Sequence, residues 1–144
     1  MDMDEEFLEV NDLDWFASYQ NGLLAHFATG GRGVVPAMVR KSISEYEVNY
    51  DFFHSIIGDS GVEIIEGNLP VFNSLAQREQ YLSSFVEMAK KGIFSHDVSG
   101  DGGYKLIARP KVCRRYCDLP VQIKSLLFVL SVNPSEIIEV SGFV

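Results

Sequence analysis

Two cysteines, Cys113 and Cys117, are all the thiols this 144-residue chain has. Zinc sites gather four thiol or imidazole ligands at defined spacings, and none of the three histidines lies within fifteen residues of the pair. A disulfide staple is not needed either, since a chain of this size buries roughly two-thirds of its unfolded surface in its own core. Both thiols read as reduced, and no metal or other cofactor is expected. Basic residues are scarce, twelve against twenty acids, for a net charge of −8. That deficit argues against nucleic acid as a partner, because phosphate binding needs a clustered positive field. Long apolar runs are missing as well. The longest, 126–132, contains Ser131 and is far too short to cross a bilayer. The first fourteen residues hold seven acids and no base, the reverse of a secretory leader. A cytoplasmic protein without membrane contact is therefore expected.

What is present reads as one domain over 1–144, with an acidic leader at 1–12 that is either a mobile terminus or, through the interleaved Phe7, Leu8, Val10 and Leu13, docked in part as a helical turn or strand. The segment 15–19 and the segment 23–29 flank Asn21-Gly22, which predicts a hairpin closed by a two-residue type I′ turn. That register sets Tyr19 opposite Leu24, Ala17 opposite His26 and Phe16 opposite Phe27. His26 then shares a face with Ala17 and Trp15. Large apolar groups fall on both faces, so the hairpin belongs inside a covered sheet.

From Pro36 an apolar stripe runs through Val39, Ile43, Tyr46, Tyr50, Phe53 and Ile57, the spacing of an amphipathic helix. Ser42 or Ser44 divides it, and Gly58 stops it. A short strand follows at 62–66. Ser74 with Gln77 three places on predicts a capped helix over 74–91, with Leu75, Leu82, Phe85, Val86 and Ala89 inward and Gly92 closing it. Residues 93–98 and 104–109 form a second hairpin that Pro110 ends. A helix from Asp118-Leu119-Pro120 to Leu130 and a last strand over 136–143 complete the reading. Regular βαβ alternation is absent. The expected fold is α+β: an antiparallel sheet built from the two hairpins, with about three helices packed on it.

The candidate sites are few. Gly30-Gly31-Arg32-Gly33 ahead of a helix has the composition of an anion-binding turn, with Gly31, Arg32 and Gly33 as its members. No Gly-Lys-Ser/Thr follows, so the Walker pattern fails. Asp97, Ser99, Asp101 and Gly102 match the front of a calcium loop, yet the twelfth position is Ala108 where a bidentate glutamate belongs. The three histidines are scattered and no nucleophile motif accompanies them, so no catalytic residue is nominated. The acidic leader has more reach. Asp4, Glu5, Glu6, Asp12 and Asp14 raise a local negative field that favours encounter with a basic protein. Half of the bases fall between Lys105 and Lys124, so the chain is acidic at its front and basic towards its back.

Asp14-Trp15-Phe16-Ala17, the run Gly22–Gly31 and Pro36 resemble the opening of small bacterial proteins, some of which look like immunity proteins of toxin systems. The segments 92–97 and 104–110, with Leu119-Pro120, extend the likeness over about a third of the chain. The likeness bears on the fold more than on function and transfers no functional residue. Charge, size and the missing catalytic set point to a non-enzymatic interaction protein, in particular an immunity-like inhibitor of a basic toxin. The alternative is a small-ligand binder or enzyme with its anion site at the glycine turn.

Overall fold

The computed structural model describes residues 1–139 and 143. Seven strands form one mixed sheet: β1 (Asp14–Ser18), β2 (Leu24–Ala28), β3 (Val62–Ile64), β4 (Phe94–Val98), β5 (Tyr104–Pro110), β6 (Phe128–Val129) and β7 (Ile137–Ile138). The order is β3-β5-β4-β2-β1-β6, with β7 also paired to β5. Both expected hairpins are there. They join through a parallel contact between β2 and β4, and β6 adds to β1 in parallel. The sheet is therefore not the purely antiparallel one expected. The physical reason lies in the long connection from β2 to β4: it carries three α-helices and β3, and so returns the chain in the same direction.

Five α-helices, not the three or so expected, occur among the described residues, the extra ones being short: α1 (Glu5–Val10), α2 (Ala37–Arg40), α3 (Ile43–Ser55), α4 (Leu75–Lys90) and α5 (Val121–Lys124). Ser42 divides the first predicted stripe by capping α3, its hydroxyl accepting the Glu45 amide at 3.3 Å. Ser74 caps α4 through the Gln77 amide at 3.1 Å, and Gly92 ends it in the left-handed region at φ 88°. Leu75 and Ile57 are solvent-exposed rather than inward, since each lies beyond the packed part of its helix. The helix expected from 118 to 130 is only one turn long. Leu127 is buried beside Ile123, and the chain then extends into β6. Of the strand expected over 136–143, residues 137–138 pair, and positions 140–142 lie outside the described residues.

The first hairpin is slipped by one residue from the predicted register. Trp15 pairs with Phe27, Phe16 with His26 and Ala17 with Ala25. The cause is the turn. Tyr19 N–H donates to Leu23 O at 2.8 Å, so the loop is Gln20-Asn21-Gly22, and only Gly22 has positive φ, at 87°. Three-residue loops of this kind place one glycine in the left-handed region, where type I′ needs two residues there. A slip of one exchanges pairing partners all along the ribbon. Trp15 and Phe27 stack at 4.4 Å in one core layer with Ala17, Tyr19, Tyr104 and Leu106. Phe16 turns the other way, stacks on Phe53 of α3 at 4.5 Å, and packs with Leu24 and Met88. His26 follows Phe16, not Trp15.

Candidate functional site

The parallel register of β2 and β4 sets His26 beside Ser95. On the helix-covered face His26 Nδ1 lies 2.8 Å from Ser95 Oγ. Its Nε2 lies 3.1 Å from Asp14 Oδ1 on β1, off the line that a hydrogen bond needs, and has no other partner. Serine, histidine and aspartate thus stand in a row, the residue types of a nucleophile relay. The row runs the wrong way for catalysis. Its outer member is the one-third-exposed Asp14 carboxylate, while Ser95 is wholly buried and the Phe85 ring of α4 lies near the imidazole. A substrate has no access to the hydroxyl in this conformation.

His96 faces the opposite side of the sheet and is fully satisfied. Its Nδ1 donates to His26 O at 2.9 Å, since a carbonyl can only accept, which leaves Nε2 to accept from the Tyr19 hydroxyl at 2.5 Å. Burial pushes its pKa down to about 3, so the ring is neutral. His54 is exposed on α3 and stacks on Tyr50 at 4.0 Å. Its pKa is lowered by desolvation first and by Lys91 second.

The glycine turn is already engaged within the protein. The amides of Arg32 and Gly33 donate to Thr29 O, that of Gly31 to Thr29 Oγ1, and that of Val34 to Gly102 O. The Arg32 guanidinium donates to Ser99 O at 3.0 Å. The glycines have steric reasons of their own. A Cβ on Gly33 would overlap the Tyr104 hydroxyl, and one on Gly31 would press on Glu9 O. Gly31, Arg32 and Gly33 close a corner against α1 and β5. The Asp101 carboxylate accepts from Ser99 Oγ and the Gly103 amide, which accounts for the calcium-like spacing as a hairpin tip.

The acidic leader has structure. Asp4 caps α1 by accepting the Phe7 amide at 2.8 Å. Met3 is buried, its amide donates to Arg40 O, and Ile43 N–H donates to Met1 O. The Arg40 guanidinium reaches Met3 O and the Glu5 carboxylate, the latter at 3.0 Å. Leu13 is buried at the other end of the segment and exchanges bonds with Thr29. Between these anchors Asp4, Glu5, Glu6, Glu9 and Asp12 are exposed. Asp14 stands apart from them, turned towards His26. The helical turn and the docking of Leu13 follow the interleaved apolar residues of the sequence, whereas Met3, an apolar residue set between Asp2 and Asp4, is the anchor that reading missed.

A groove of about 390 Å³ opens at the opposite end of the sheet. Gly58–Ser60, Lys90–Gly92 and Val112–Arg114 line it, with Asp118 at the rim. Two of its cations serve the fold: Lys91 Nζ donates to Phe53 O and His54 O at the end of α3, and Arg114 Nε donates to Lys91 O. Comparison with protein families, with curated proteins and with solved structures finds no match to this chain.

Proposed function

We propose that this domain works by binding, and that its acidic leader is the surface that receives a basic protein partner. One observation carries the reading: five acids are held outward on a segment pinned at both ends by buried Met3 and Leu13. A prearranged charged surface loses less conformational entropy on docking than a free tail does, and its field raises the encounter rate. The charge distribution supports it. Residues 1–58 hold ten acids and three bases, whereas 59–144 hold ten acids and nine bases. An immunity-like inhibitor of a basic toxin is the specific form this reading takes.

Titration calorimetry with poly-L-lysine tests it, comparing the native chain with the variant Asp4→Asn/Glu5→Gln/Glu6→Gln/Asp12→Asn. The reading expects affinity to fall at least tenfold in the variant and to weaken with salt. Equal affinity for both chains would reject the leader as the contact.

A further inference from the structure

The strand directions place the two charged regions at opposite ends of the molecule. Asp14 pairs with Ala28, Ala28 with Asp97, and Val98 with Tyr104, so the start of β1, the ends of β2 and β4 and the start of β5 share one end of the sheet. The leader attaches there, through Leu13 and Thr29 and through Glu9 beside Gly31. The basic segment sits at the other end. Arg115 bridges to Leu23 at the start of β2, Tyr116 N–H donates to Gly22 O, and Arg114 N–H donates to Gly92 O ahead of β4. Lys90, Lys111 and Arg115 are exposed at that end, around the groove. The acids lining the groove are Asp59 and Asp118, of which Asp118 already accepts the Arg115 amide, and Glu87 stands 3.9 Å from Lys90 on the exposed side of α4.

Each end also carries apolar surface beside its charge. Val10 of α1 is 73% exposed at the acidic end, and Val112 is 71% exposed on the wall of the groove. The surfaces are thus opposite in the sign of the charge they carry and alike in leaving apolar side chains uncovered.

We infer that the acidic end of one molecule docks into the basic groove of a second copy, head to tail. The inference rests on the proposed role of the leader as a docking surface and names the basic end of a second copy as what it meets. Glu5, Glu6 and Glu9 meet Lys90, Lys111 and Arg115 of the next molecule, while Val10 covers Val112. Such a contact is heterologous, so a chain of any length keeps one free acidic end and one free basic end and can go on growing. The net charge of −8 opposes approach at long range. At about 0.1 M salt the screening length is about 10 Å, so that repulsion is damped while charges in contact still attract. The association is therefore weak and concentration-dependent.

Sedimentation equilibrium tests it with three chains: the native one, an acid-side variant (Asp4→Asn/Glu5→Gln/Glu6→Gln/Asp12→Asn) and a base-side variant (Lys90→Gln/Lys111→Gln/Arg115→Gln). All these residues are exposed, and circular dichroism checks that each variant is folded. At about 0.1 M salt the native chain is expected to rise above its 16.1 kDa monomer mass as concentration approaches about 1 mM, and to return to it at about 1 M salt. Each variant alone stays monomeric, and their equimolar mixture forms a dimer that grows no further, because each supplies one working end. A native chain that is monomeric throughout, a variant that associates as the native chain does, or a mixture that passes the dimer would overturn the inference. If self-association fails while poly-L-lysine still binds the native chain and not the acid-side variant, only the second-copy assignment is lost. Loss of that discrimination as well removes the docking reading beneath it.

Discussion

His96 Nδ1 donates to the backbone carbonyl of His26 at 2.9 Å, so the two histidines meet across the sheet through main chain while their rings occupy opposite cores. One ring is locked neutral between a carbonyl and the Tyr19 hydroxyl. The other lies beneath α4, between a serine and a carboxylate.

Stability should depend on pH through His96. Its folded pKa is near 3, against an ordinary value of 6.5 when unfolded. Between those values the unfolded chain binds the extra proton, so stability is fully present above about pH 6.5 and is lost as pH falls towards 3. The slope from this one group approaches about 1.4 kcal/mol per pH unit. Urea titrations of the native chain and of His96→Gln between pH 7 and 4 check this. The variant starts less stable and follows a flatter profile.

Ser95→Ala should destabilise the fold by about 1–3 kcal/mol, because the change leaves His26 Nδ1 buried without a partner. It should not alter binding of poly-L-lysine. Ser95 should also resist a fluorophosphonate reagent in the folded state, as mass spectrometry would show. Rapid labelling would mean that the row of Asp14, His26 and Ser95 opens to solvent.

Glycine replacements separate backbone strain from crowding. Gly22 and Gly92 have nearly equal φ, 87° and 88°. A Cβ on Gly22 meets open space, whereas one on Gly92 would stand 2.7 Å from Arg114 N. Gly22→Ala should cost about 1 kcal/mol, the ordinary penalty for a left-handed residue. Gly92→Ala should cost clearly more, since the loop from 112 to 114 must also move. Thermal unfolding of both variants measures the difference.

Local chemistry was legible where neighbouring residues decide it. Ser42, Ser74 and Gly92 mark helix ends that the structure keeps, and both hairpins were readable from their glycines. The slip of the first hairpin was not, because Asn21-Gly22 suits both a two-residue loop and a three-residue loop. The long-range pairing was not legible either. Nothing in the run 94–98 says that it lies parallel to 24–28, so the meeting of His26 with Ser95 could not be anticipated. β6 and β7 are two residues each, too short to carry a periodic pattern. The leader's charge was plain from the outset. Leu13 was legible as a docking residue among the interleaved apolar positions, but its partner Thr29 and the hold of Arg40 on Met3 were not, since those contacts form only once the sheet has.

Arg40 should matter more than an exposed cation normally does. Its guanidinium holds the Met3 carbonyl and the Glu5 carboxylate together. Arg40→Ala should leave the sheet intact while amide exchange rises over residues 3–11. Exchange unchanged there would mean that burial of Met3 alone fixes the segment.

The most direct test is an amide chemical-shift map of the native chain titrated with poly-L-lysine at about 0.1 M salt, repeated at about 1 M. A docking surface on the pinned leader predicts shifts gathered on residues 2–12 and their contacts near Arg40 and Gly31, all fading at the higher salt. Shifts spread evenly over every exposed acid, or centred on Glu63, Glu66 and Glu79 at the far side of the chain, would contradict it.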